Sequence, residues 1–84
     1  MDKELNGIVY LLRTFQLQKE DFRRYSELAN HVQPGSSDAK YYAKRISVAK
    51  EQATQTAKEL QAKKAKAVKL NHAEALKLLK DIPL

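Results

Sequence analysis

The residues best suited to chemistry in this chain are cations in its second half. Lys40, Lys44, Arg45, Lys58, Lys63, Lys64, Lys66 and Lys69 lie in one stretch whose only acids are Glu51 and Glu59. Lysines sharing a helix face can neutralise successive phosphates, which gives salt-sensitive binding with little sequence preference. On this reading Lys40, Lys44, Arg45, Lys58, Lys63, Lys66 and Lys69 are the candidate nucleic-acid contacts. Two features weigh the other way. Only one of the cations is Arg, the residue that recognises phosphate and base edges bidentately. Lys63, Lys64 and Lys66 also cannot all point in one direction on a helix. A solvated, helix-favouring surface accounts for the same lysines.

Other candidate groups are sparser. Tyr41 and Tyr42 sit among cations, where aromatics can stack on unpaired bases; the simpler use puts Tyr42 in a core seam with Tyr41 at its edge. His31 and His72 are far apart, and neither has a second His or a carboxylate pair at metal-ligand spacing. The chain has two glycines, Gly7 and Gly35, so a Gly-rich phosphate loop is excluded. Ser26, Ser36, Ser37 and Ser47 have no base and orienting acid at recognisable spacing. There is no Cys, which excludes disulfides, thiol catalysis and Cys-based zinc sites. No catalytic residue, metal, cofactor or small-molecule substrate is expected, and the chain is not read as an enzyme.

Charge is distributed unevenly. The formal net charge is +6, and residues 1–37 hold equal numbers of acids and bases, so the whole excess belongs to residues 38–84. The longest apolar run, Ile8 to Leu12, is far short of the roughly 20 residues that span a bilayer. Met1 to Glu4 carries both signs of charge, unlike a secretory leader. The expected location is cytoplasmic.

The elements that must position these groups read as helices. From Asp38 to Leu70 there is no Gly or Pro, and Ala, Lys, Gln and Glu dominate. One helix over 38–70 would be about 50 Å long at a rise of about 1.5 Å per residue. Ala39, Tyr42, Ile46, Ala49, Ala53, Thr56 and Leu60 keep the three-and-four spacing of a packed seam. The same repeat then reaches Lys63 before Ala67 and Leu70, so residues 61–69 are expected to pack weakly and to be exposed.

Ahead of it, Asp2 can cap a first helix whose apolar face runs through Leu5, Ile8, Leu12 and Phe15. Residues 2–32 read as helical, with a break favoured near 16–20. There Leu17 and Phe22 are placed as a hydrophobic staple around Gln18, with Glu20 and Asp21 in a new first turn. The competing reading is one unbroken helix, because Phe15 and Phe22 are seven residues apart and stay in phase. Phe22, Tyr25, Ala29 and Val32 form the face of a helix ending near Val32. Gln33 to Ser37 is the turn: Pro34 and Gly35 suit the centre of a type II turn, and Ser36 or Ser37 can cap the long helix. So short a loop implies an antiparallel neighbour. Asn71 and Glu74 have capping-box spacing. A short helix over 72–82, ended by Pro83, either turns back onto the bundle or continues the long helix, with Leu76, Leu79 and Ile82 free to dock on the same chain or on a partner.

The fold expected is all-α: an antiparallel helical hairpin or small three- or four-helix bundle, as a single domain over 1–84. The leading functional reading is a non-enzymatic protein–protein interaction module that binds a protein partner or itself, as a homodimer or higher oligomer. Its interface would be the Ala-lined seam (Tyr42, Ile46, Ala49, Ala53, Leu60) together with Leu76, Leu79 and Ile82. The alternative is the nucleic-acid-binding module described above.

Overall fold

A computed structural model describes residues 3–82 of the chain. It contains α1 (Lys3–Ala29), α2 (Ser37–Leu70) and α3 (Ala73–Leu78). α1 and α2 form the antiparallel hairpin, and α3 folds back to touch both. The long dimension is 51 Å against 23 and 16 Å in the other two, so α2 sets the length of the molecule. The Asp2 cap and the Pro83 stop lie outside the described residues.

α1 is continuous, which corrects the break expected near 16–20. Gln18 does not cap a new helix. Its side chain is half-buried between the helices, and Gln16 Nε2 donates to Glu20 Oε1 at 3.1 Å across the would-be break. The seven-residue register of Ile8, Phe15 and Phe22 prevails because each of these side chains meets α2 only if the helix runs on without a kink. Leu17 therefore staples nothing and points to solvent. α1 ends at Ala29, short of Val32. Asn30 N–H donates to Glu27 O and His31 N–H to Leu28 O, both at 3.1 Å, tightening the last turn.

The turn forms as its residues require. Ser36 N–H donates to Gln33 O at 3.2 Å around Pro34 and Gly35, and Gly35 takes φ +82. That positive φ is the position a type II turn reserves for glycine. Ser36 then serves twice: its Oγ donates to Gln33 O at 2.7 Å and accepts from Ala39 N–H at 3.1 Å, capping α2.

α2 ends in a Schellman motif. Asn71 adopts the left-handed conformation (φ 52, ψ 44). His72 N–H donates to Ala67 O at 2.9 Å and Asn71 N–H to Val68 O at 3.2 Å. Asn71 thus terminates α2, and the cap of α3 is His72, one residue later than the capping-box spacing suggested. This reversal turns α3 back onto the hairpin. α3 is shorter than the expected 72–82; beyond Leu78 the chain tightens, with Ile82 N–H donating to Leu79 O at 3.0 Å. The tightening lets Leu79 and Ile82 both reach the core, while the Lys64 ammonium donates to Ile82 O.

The core sits at the end of the hairpin where α3 docks. Ile8, Leu60 and Leu79 are fully buried there with Ala67, Ala75 and Ile82, and Leu5, Leu11, Leu12, Phe15 and Leu76 pack around them. Burying each large side chain contributes about 1.5–3 kcal/mol relative to leaving it exposed. Away from this end the hairpin is only two helices thick. Ala49 and Thr56 are its buried residues there, and Thr56 satisfies its hydroxyl by donating to Gln52 O at 3.0 Å.

Candidate interaction surfaces

The residues expected to face a partner divide into two groups. Leu60, Leu79 and Ile82 are enclosed by the chain's own core, with Leu76 packed at its edge. The apolar face of Leu76, Leu79 and Ile82 is therefore covered internally, because the Asn71 reversal brings α3 home. Tyr42, Ile46, Ala49 and Ala53 line the α1–α2 contact, with Ala49 buried and the other three half-buried. The Tyr42 ring lies 6.1 Å from that of Tyr25 and 5.5 Å from that of Tyr41. The small seam residues thus let α1 approach rather than a second molecule.

The cations divide as well. Lys63 occupies a seam position, and its ammonium reaches Glu4 Oε1 at 3.2 Å; Lys66 approaches Glu4 Oε2 at 3.9 Å. Six of the nine residues in 61–69 are exposed, as expected, but Lys63 and Lys64 are half-buried and Ala67 is buried, so the stretch packs at these three positions. The physical reason is snorkelling: the aliphatic stems cover apolar surface while the ammonium groups find oxygen at the rim. Arg45 is directed at the Tyr25 ring, 5.4 Å from its centroid, beside Arg24 at 5.3 Å. What remains is Lys40, Lys44, Lys58 and Lys69, all exposed. Lys40 and Lys58 are eighteen residues apart, about five turns, and Lys69 comes after about three more. These four form a line along the outer side of α2, interrupted by Glu51.

A surface that sequence reasoning missed lies on α1. Tyr10, Leu17 and Leu28 are 69%, 63% and 39% exposed. Tyr10 and Leu28 are also eighteen residues apart, with Leu17 seven beyond Tyr10, so all three fall on one line of the helix. Glu20, Asp21, Arg23, Arg24 and Glu27 surround Leu17 with both signs of charge, and Arg24 pairs with Asp21 at 3.0 Å. The signal was present as spacing, but the stronger apolar face of Ile8, Leu12 and Phe15 on the opposite side drew it off.

A third surface is the open groove between α1 and α2 beside Phe15 and Phe22, with Ala53 and Ala57 at its base and Lys19 and Lys50 at its rims. Among the described residues no three His, Cys, Asp or Glu side chains converge in a metal-binding group, and no helix is long and apolar enough to cross a membrane. Comparison of the chain with protein-family models, with curated proteins and with solved structures finds no match.

Proposed function

We propose that this chain is a non-enzymatic helical protein-interaction module that self-associates through the outer face of α1. The observation that carries the reading is the Tyr10–Leu17–Leu28 line, three large apolar side chains left in water on one helix face. Leaving such side chains exposed forgoes the burial energy that a partner would supply. The mixed charges around Leu17 suit a second copy of the same face. In a two-fold antiparallel pairing centred near position 19, Tyr10 of one protomer meets Leu28 of the other, since the two are equidistant from that centre. Asp21, eleven residues beyond Tyr10, lies on the line itself and would meet Leu17 in this pairing, with its charge held by Arg24 of its own helix. Glu20, Arg23 and Glu27 flank the line with both signs, so the pairing does not oppose like charges wholesale. Sedimentation equilibrium of the wild type and of Leu17→Glu tests this. The wild type is expected to form a dimer that the substitution dissociates at the same concentration. A wild type that remains monomeric at the highest concentration overturns the reading.

One observation favours a second reading, the exposed line of Lys40, Lys44, Lys58 and Lys69 on the opposite side of the molecule. It supports nucleic-acid binding through phosphates. Lys63 and Lys66, engaged with Glu4, are poorer contacts. Titration against duplex and single-stranded DNA and RNA at two salt concentrations tests it. Reversing Lys40, Lys44 and Lys58 to Glu is expected to flatten the salt slope, and an unchanged slope removes this reading.

A further inference from the structure

We infer that the groove between α1 and α2 on the side of Lys64 and Ile82 receives an amphipathic helix with acidic flanks, supplied by another protein. The inference rests on the interaction-module reading but uses a different face from the self-association line: Lys19 is nine residues from Tyr10, about two and a half turns, and so points away from it.

The groove continues a helix site that the chain has already filled at one end. Lys50, Ala57 and Lys64 are spaced by sevens along one side of α2, and Leu5, Leu12 and Lys19 along the facing side of α1. Near the core, this side is covered: Lys64 holds Ile82 O, and Leu5 lies beside Leu78. Toward the Pro34–Gly35 turn the cover stops. Phe15 packs at the edge of the core, and Phe22 lies two turns further on, 38% exposed over Ala53 and Ala57. Small residues between two larger rings leave a concave strip, into which the apolar ridge of a third helix packs.

Charge selects the occupant. None of the residues lining the groove is acidic, and Lys19 and Lys50 stand on its two rims. The Lys19 ammonium lies over the Phe15 ring at 4.6 Å from its centroid, and both residues line the groove. A second copy docked here about a two-fold axis would bring Lys19 and Lys50 toward their own duplicates, which is unfavourable. A partner helix carrying Glu or Asp on both flanks of an apolar stripe meets a cation on each side.

The test uses the full chain and a fluorescein-labelled three-heptad peptide with Leu at a and d and Glu at e and g. Two controls accompany it: the same peptide with Lys for Glu, and a scrambled acidic peptide of identical composition. The acidic amphipathic peptide is expected to bind, with both controls at least about tenfold weaker, as complementary charge and a desolvated apolar anchor together require. Lys19→Glu/Lys50→Glu reverses the preference between the Glu and Lys peptides, and Phe22→Glu weakens both. Amide chemical-shift changes gather at Phe15, Phe22, Ala53 and Ala57. Equal binding of the scrambled peptide, or shifts centred on Lys40, Lys44 and Lys58, would reduce the effect to general attraction by a basic protein and overturn the inference. Displacement of the peptide by an oligothymidylate that shifts the same four residues would overturn it too, assigning the groove to single-stranded nucleic acid. The double reversal leaves the Leu17 line untouched, so its sedimentation separates failure of this site from failure of the self-association reading.

Discussion

Replacing Leu79 by Ala is the sharpest probe of how the chain closes on itself. Leu79 is fully buried where α1, α2 and α3 meet, so truncation removes packing from three elements at once. Buried Leu→Ala changes cost about 2–5 kcal/mol, depending on how far the cavity collapses. For 84 residues, total stability on the order of 4–13 kcal/mol is the usual range. The substitution therefore removes a large share of it. In a domain this size each kcal/mol moves the melting temperature by about 4–8 °C, so the expected drop is at least about 8 °C. The assay is thermal and urea unfolding followed by circular dichroism at 222 nm. Leu78→Ala is measured beside it at the same protein concentration, because the proposed self-association would make the melting point concentration-dependent. Leu78, its neighbour at the last position of α3, is 39% exposed, and its loss is expected to cost less than about 1 kcal/mol. If the two variants melt together, or if Leu79→Ala lies within about 0.5 kcal/mol of wild type, α3 does not dock as described.

The turn and the seam can be probed in the same way. Gly35→Ala places a Cβ at φ +82, and urea unfolding is expected to show a loss of about 1 kcal/mol. Ser36→Ala removes both the α2 cap and the bond to Gln33, with a loss of about 0.5–2 kcal/mol in the same assay. Gln18 occupies the seam between Leu11 and Tyr25 with a buried amide oxygen that no protein group hydrogen-bonds; Gln18→Leu is expected to raise stability by about 1 kcal/mol, seen as a higher urea midpoint.

The features legible in the sequence were those fixed by neighbours along the chain. Pro34 sets its own φ and Gly35 accepts a positive one, so the turn and its antiparallel consequence could be read from two residues. Ser36 lies three residues before the N–H it caps, and the long helix is bounded by that cap and by Asn71. The continuity of α1 was harder, because a local staple signal at Leu17 and Phe22 competed with a register that only α2 could enforce. Lys63 looked like a fault in the seam. Its partner Glu4 is remote in sequence, and no local rule reports that a lysine stem can fill an apolar position while its ammonium reaches a carboxylate. The return of α3 was one of two readings the sequence left open, for a related reason. Asn71 suits both an N-cap and a left-handed C-cap, and the choice between them decides whether Leu79 and Ile82 face a partner or the core. The Tyr10–Leu17–Leu28 line needed the opposite logic: its periodicity was visible, but exposure is decided only once the other face of α1 has been buried.

The most direct test of self-association through α1 is an isotope-filtered nuclear Overhauser experiment on a mixture of carbon-13-labelled and unlabelled protein. Contacts between protomers are then seen apart from those within one. Cross-peaks are expected from the Tyr10 ring of one protomer to the Leu28 methyl groups of the other, with Leu17 methyl groups between them. Intermolecular cross-peaks confined to Leu79 and Ile82, or none at a concentration where a dimer should form, would contradict that pairing.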